Sequence, residues 1–270
     1  MSPERVELSV VLPAYNEAGF LAGAVEKVLA CCAELIGGRE GAFEVLLVEN
    51  GSADRTWDVA LALAAAHPHL RALRMSLPDY GGAIRAGLAA ATGEWVAVLD
   101  VDQIDDGFLA GAWEERDALD VALGSKRAVG SSDLRSPLRR VASRVFTGLL
   151  HLGLGMRASD SHGSKLLRRS AIEPLAKDTV SRQDIFDTEL VLRAERAGLR
   201  IVELPVTVVE TRPPRSNIAR RVPRTLLGLA KMRLALGQPA QTPAGPRPPA
   251  SFAPIAHERA KVLGGSGRLP

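Results

Sequence analysis

Asp100 and Asp102 stand one residue apart, directly after the apolar run 95–99. Two carboxylates that close repel each other unless a cation or water comes between them. A hard divalent cation, Mg2+ or Mn2+, is ordinarily held by one or two carboxylates together with substrate phosphate oxygens. Bound there, it would neutralise the charge growing on a leaving diphosphate. The same spacing also fits a solvated acidic turn, and the nearby Asp105 and Asp106 leave that alternative open.

Two more polar groups follow apolar runs: Tyr15-Asn16-Glu17 and Glu49-Asn50-Gly51. The second opens a turn in which Ser52 suits a helix N-cap and Asp54 suits the positive end of a helix. Those roles leave room for contact with a nucleotide base. Tyr80-Gly81-Gly82, ahead of an Ala-rich helix, lets backbone approach a ligand closely, or makes a simple turn.

The elements that must position these groups follow from periodicity. Apolar runs at 8–12, 43–48, 70–75 and 95–99 read as strands, and 17–36, 53–66 and 81–91 read as helices. This alternation predicts an α/β fold with a mostly parallel central sheet flanked by helices. Ligands of such sheets bind at the carboxyl ends of the strands, where all three polar groups would gather. The second half predicts a strand at 121–123, a polar loop to 136 and an amphipathic helix at 137–152 carrying Arg139, Arg140 and Arg144. A short strand at 165–167, a helix at 186–198 ended by Gly198, a strand-like stretch at 201–209 and a basic helix at 218–236 follow. From 237 onward Pro, Gly and Ala dominate, which by composition is a disordered tail. The expected division is a domain over 1–236 and a tail over 237–270.

The 270 residues suffice for one large α/β domain. Hydrophobic residues make up 46% and aromatics only 4%, so the core must be built of Ala, Leu and Val. A formal charge of +3 singles out neither nucleic acid nor membrane, and no nucleic-acid partner is expected. The two cysteines, Cys31 and Cys32, are helix neighbours unsuited to a framework disulfide, which suggests a reducing cytoplasm. The polar start of the chain shows no signal-peptide pattern, and no stretch reaches the roughly 18 apolar residues of a membrane span. A Rossmann dehydrogenase is disfavoured because no G-x-G-x-x-G follows the first strand.

Four motifs in order resemble the family 2 glycosyltransferases of the GT-A fold. They are Leu12-Pro13-Ala14-Tyr15-Asn16-Glu17, the stretch from Val48 to Thr56, Gly81 to Gly87 with Thr92-Gly93-Glu94, and Asp100-Val101-Asp102 at the place of the DxD metal motif. Gly124 to Arg127, Asp160 to Arg168, Phe186-Asp187-Thr188-Glu189-Leu190 and Glu203-Leu204-Pro205-Val206 resemble the polyprenyl-phosphate branch, which includes dolichol-phosphate mannose synthase. The resemblance spans residues 8–236. It implies inverting transfer of a hexose, mannose or glucose, from a GDP- or UDP-sugar to a polyprenyl phosphate, with Mg2+ or Mn2+ as cofactor. It implies donor contacts at Pro13, Tyr15, Glu17, Glu49, Asn50, Gly82, Asp100, Val101, Asp102 and Gln103, with Asp100 and Asp102 as metal ligands. Asp102 and Asp160 become the catalytic carboxylates, Asp160 as a catalytic or substrate-orienting group. Arg139, Ser143 and Arg215 match acceptor-phosphate positions, and Lys126 takes the place of a further arginine. The chain departs from the pattern at Glu49, where Asp is usual, at Asp79, where Gly is common, and at 159–165, which is one residue short.

The residues fit that chemistry independently. A lipid phosphate, with a second pKa of about 6, is anionic near neutral pH and can attack without a strong base. The site then has to hold two anionic partners together, a task suited to arginine forks. From Arg212 to Arg233 there are basic residues and leucines but no acidic residue. Such a helix, with the apolar residues around Phe146, could lie on an anionic membrane, or its leucines could pack on the domain. The expected location is cytoplasmic, at the inner face of the cell membrane. Two other readings stand beside this one: a related glycosyltransferase with a soluble acceptor, and a non-catalytic nucleotide-binding domain.

Overall fold

The computed structural model describes residues 5–39, 41–181, 185–209 and 218–237, with side chains of the last segment described from 225. A seven-stranded sheet runs in the order β3-β2-β1-β4-β7-β5-β8. Its strands are β1 (Leu8–Ala14), β2 (Phe43–Asn50), β3 (Leu70–Met75), β4 (Trp95–Val98), β5 (Val121–Ser125), β7 (Lys165–Arg168) and β8 (Ile201–Pro205). Every residue of β1, β2, β4 and β5 is buried. Strands covered on both faces have to read as unbroken apolar runs, which is why these were visible as such. β3, at the sheet edge, buries only Leu70.

Helices cover both faces. They are α1 (Leu21–Leu35), α2 (Thr56–Ala66), α3 (Tyr80–Ala90), α4 (Asp106–Glu114), α5 (Pro137–Leu154), α6 (Arg169–Lys177), α7 (Phe186–Arg196) and α8 (Ile218–Leu236). Side chains alternate across β1: Val10, Leu12 and Ala14 join one core with α1 and α4, and Val11 joins the other with α3 and α7. α3 lies close on β1 because residue 87 is glycine; a Cβ there would come 2.3 Å from Val11 Cγ1. Among the described residues no helix is long and apolar enough to cross a membrane.

The fold adds elements that periodicity did not announce. α4 begins where the Asp105 side chain accepts the Phe108 N–H, a capping signal that was present in the sequence. α6 contains Pro174, and its polar composition hid its single buried stripe at Ile172 and Ala176. The predicted strand 201–209 splits in two. Its second part, β9 (Thr207–Val208), leaves the main sheet to pair with β6 (Ser132–Asp133). α1 starts at Leu21 rather than residue 17, because residues 16–18 are held in a turn by the chain after β2.

Candidate active site

Strands β1, β2, β3 and β4 are mutually parallel, so their carboxyl ends share one edge. From β1 the chain winds outward through β2 to β3, then crosses to the other side of β1 to form β4. The switch point of the sheet therefore lies between β1 and β4, and ligands of open α/β sheets bind in such crevices. The β1–β4 pairing ends at Val11–Val98. Pro13 follows on β1 and has no N–H with which to continue the ladder. The tips diverge there, and Tyr15-Asn16-Glu17 and Asp100-Val101-Asp102 emerge on either side.

The first turn is built by the second. Asn16 takes a left-handed φ of 54°. Its N–H donates to Ser52 Oγ at 2.9 Å, while its Oδ1 accepts the Ala53 N–H at 2.9 Å. The Glu17 N–H donates to Thr56 Oγ1 at 2.8 Å. Glu17 is buried and Tyr15 is partly exposed at the mouth. Asn50 Oδ1 accepts the Asp79 N–H at 2.7 Å, tying the approach to α3 onto β2. Asp79 in turn caps α3 by accepting the Gly82 N–H at 3.1 Å. Hence Asn50 and Gly82 spend these polar groups on the protein itself. Glu49 is fully buried, accepts the Ser52 N–H and lies 3.4 Å from Arg74 Nε.

The four acidic residues after β4 separate into two pairs. Asp105 caps α4 and its Oδ2 accepts the Thr207 N–H at 3.1 Å. Asp106 pairs with Lys27 at 2.6 Å. Those two carboxylates are thus engaged with the protein itself, apart from Asp100 and Asp102. Asp100 Oδ1 accepts the Tyr80 hydroxyl at 2.9 Å, and the Gln103 N–H donates to the Asp100 carbonyl at 3.0 Å, closing a tight turn. Val101 is buried and anchors that turn, leaving Asp102 exposed. Burial pushes the Asp100 carboxyl above its usual range. The Tyr80 hydroxyl and Lys165 oppose that rise, and Asp187 and Asp102 add to it. A cleft of about 390 Å³ opens beside Asp102 and Gln103, between Lys27 and Thr207.

β7 is antiparallel to both of its neighbours. One reversed strand brings the loop that enters it to the same edge as the end of β5. There Lys126 Nζ and Asp160 Oδ2 pair at 2.7 Å, both largely buried. Burial alone would raise the Asp160 carboxyl, but Lys126 and His162 hold it below the ordinary range. Glu203 on β8 fixes this loop: its Oε1 accepts the Ser159 N–H at 2.8 Å and the Asp160 N–H at 3.2 Å. Arg139 and Ser143 lie on α5, with Ser143 Oγ 3.4 Å from Arg135 Nη2. Arg215 lies outside the described residues, as do residues 238–270 of the expected tail.

The sequence model of "Glycosyl transferase family 2" matches residues 9–175. The chain belongs to glycosyl transferase family 2. It is 34% identical over 206 residues to glycosyltransferase AglD of Haloferax volcanii, covering 74% of this chain and 33% of that protein. It is 31% identical to a dolichyl-phosphate beta-glucosyltransferase, ALG5A, of Trichomonas vaginalis, covering 76% of this chain and 66% of that one. The chain thus spans a third to two thirds of the length of these relatives. Among solved structures it resembles the mannosyltransferase PcManGT from Pyrobaculum calidifontis in complex with GDP-Man and Mn2+. That likeness has a TM-score of 0.55 at 22% identity, over 87% of this chain and 66% of the other, and shows the shared fold.

The candidate donors to a cation are Asp100 and Asp102, two carboxylates after the end of β4. Among the described residues no three His, Cys, Asp or Glu side chains converge as a complete protein cage. A two-carboxylate site open on its outer side fits Mg2+ or Mn2+ completed by phosphate oxygens, and does not fit a structural zinc site. Sequence reasoning passed over five contributors. Tyr80 was read only as part of a glycine turn, and Glu203 only as part of a motif. Glu189 accepts the Ser181 N–H at 2.7 Å and pairs with Arg193, so its carboxylate is committed to holding that loop. Lys165 and Asp187 form a fully buried pair at 3.2 Å. The signal for that pair was a lysine opening β7 directly ahead of two buried leucines.

Proposed function

We propose that the chain transfers a hexose, mannose or glucose, from a GDP- or UDP-sugar to a polyprenyl phosphate at a membrane surface. The observation that carries this reading is the build of α5. The helix bears Arg139 and Ser143, and Thr147 and Leu150 bury its inner face. Leu138, Val141, Val145, Leu149 and Leu152 form an outward stripe, with Leu152 91% exposed. These five recur at helical spacing on one side, so the helix is apolar on two faces and only one is covered. A helix that carries phosphate-binding candidates on its inner side and an uncovered apolar stripe on its outer side suits an acceptor with an anionic head and a hydrocarbon tail. On α8, Leu226, Leu227 and Leu234 are exposed as well. The names of the relatives, dolichyl-phosphate glucosyltransferases among them, support the same acceptor class.

In this reading Pro13, Tyr15, Glu17, Glu49, Asn50 and Gly82 frame the nucleotide side of the crevice. Asp100 and Asp102, with Val101 and Gln103 shaping their turn, would hold Mg2+ or Mn2+. The cation would offset charge on the departing diphosphate. Lys126, Arg139, Ser143 and Arg215 receive the acceptor phosphate, and Asp160 orients Lys126 towards it. Already ionised, the phosphate oxygen bonds to the anomeric carbon as the bond to the nucleoside diphosphate breaks, and this single displacement inverts that carbon. The catalytic unit is residues 1–236, with 237–270 as an appended tail. It works at an anionic membrane on the cytoplasmic side, without a nucleic-acid partner.

The test is a panel of GDP- and UDP-sugars with Mg2+ or Mn2+, offered a short polyprenyl phosphate and a set of soluble acceptors. Transfer to the polyprenyl phosphate that disappears in Asp102→Ala is expected. Transfer only to a soluble acceptor would overturn the lipid assignment, and nucleotide binding without transfer would overturn the enzyme.

A further inference from the structure

The pair Lys165–Asp187 lies deep beneath the candidate cation site. Lys165 faces Val98 across the β4–β7 ladder. Directly paired residues project to the same side of a sheet, and Asp100 is two residues beyond Val98 on the same alternation. Asp187, in the first turn of α7, reaches that side from above. The two side chains are 2% and 1% exposed, with Lys165 Nζ 3.2 Å from Asp187 Oδ2. Lys165 Nζ also donates to the Gly163 carbonyl at 2.8 Å. No hydrogen bond from a described residue reaches either oxygen of Asp187. Among the described residues this carboxylate rests on that one ion pair, and a buried charge so held calls for a purpose. The charges of both Lys165 and Asp187 are felt at Asp100.

A lysine beside a carboxylate at this edge has an obvious alternative: it can pair with it. Lys126 does so with Asp160 at 2.7 Å. We propose that Asp187 is a positioning residue that holds the Lys165 ammonium away from Asp100, so that Asp100 stays available to a divalent cation. Two cations cannot share one buried carboxylate without repulsion, so the protein's own lysine competes with the metal unless something restrains it. Asp187 restrains it from behind.

The inference rests on the proposed metal-dependent reading and is tested without turnover. Mn2+ alone is titrated into the full chain, and free Mn2+ is read from its electron paramagnetic resonance signal. The wild type should bind Mn2+, and Asp102→Ala should not. Asp187→Asn should weaken binding roughly 10- to 100-fold, the usual range for a group supporting a metal ligand. Lys165→Met should bind at least as tightly as wild type, and the Lys165→Met, Asp187→Asn double variant should recover the affinity lost by Asp187→Asn alone. General loss of packing would weaken both single variants and would not be rescued. If Asp187→Asn fails to fold, the apolar pair Lys165→Met, Asp187→Leu carries the test, and wild-type-like Mn2+ affinity supports the restraint. Equal affinity of wild type and Asp187→Asn, or weakening by Lys165→Met, overturns the inference alone. A wild type that binds no Mn2+ overturns the metal-dependent reading and the inference with it.

Discussion

Asp100 and Asp160 sit on the same edge of one sheet and face opposite electrostatic fates. Asp160 meets a lysine at 2.7 Å and is held below the usual carboxylate range. Asp100 is pushed above it, because its burial is offset only by a tyrosine hydroxyl and a lysine already engaged elsewhere. One aspartate has its cation built in, and the other lacks one. In the proposed reading the donor half is thereby prepared for an added ion, and the acceptor half for an anion that would draw on Lys126.

The hardest way to break this contrast is at the open end. Asp102→Ala should abolish Mn2+ binding and reduce transfer by a factor on the order of 1,000, because electrostatic stabilisation of the leaving group is lost. Transfer assays and Mn2+ titration check it together. Next in size is the closed pair. Lys126→Met leaves Asp160 largely buried without its partner and should cost about 3 kcal/mol of stability. It should also impair acceptor use while leaving Mn2+ affinity unchanged; denaturant unfolding and titration separate the two effects.

The stability difference also has a defined pH dependence. Because the folded Asp160 pKa is lowered, its contribution is present above the ordinary carboxylate value of about 3.9 and is lost as pH falls through the folded value. The advantage of wild type over Lys126→Met should therefore be largest at neutral pH and shrink in acid, as read by thermal unfolding across pH. Asp120, also lowered by Arg200 and Arg168, should behave alike. Smaller again is Tyr80→Phe, which removes one hydrogen bond to Asp100. A loss of about 1 kcal/mol, or roughly five-fold in Mn2+ affinity, is expected. The smallest effect on the fold should come from Leu152→Ser, which leaves stability unchanged yet reduces flotation with anionic vesicles.

The two halves also differed in how much their sequence disclosed. β1, β2 and β4 are apolar from end to end because both faces are covered, and such runs cannot be mistaken for surface. The motifs that follow them fell on one edge as the alternation required, and the separation of Asp105 and Asp106 from Asp100 and Asp102 needed only their partners. The second half hides its logic in long-range pairing. Lys165 looks like a surface residue until β4 and β5 flank it, and Asp187 looks like an ordinary helix-start acid. Glu203 acts on backbone N–H groups 43 and 44 residues away, which no local pattern signals. Asn50 and Gly82, expected as donor contacts, also tie down the turn before α3.

β7 has a consequence for cooperativity. It is hydrogen-bonded to β4 on one side and to β5 on the other. Removing it would strip pairing from both halves at once and leave two raw edges in the middle of the sheet. The crevice and the loop that enters β7 therefore cannot melt as independent units. The short reversed strand welds them into one unfolding transition, and a chain cut on either side of it should give two fragments that fold only together.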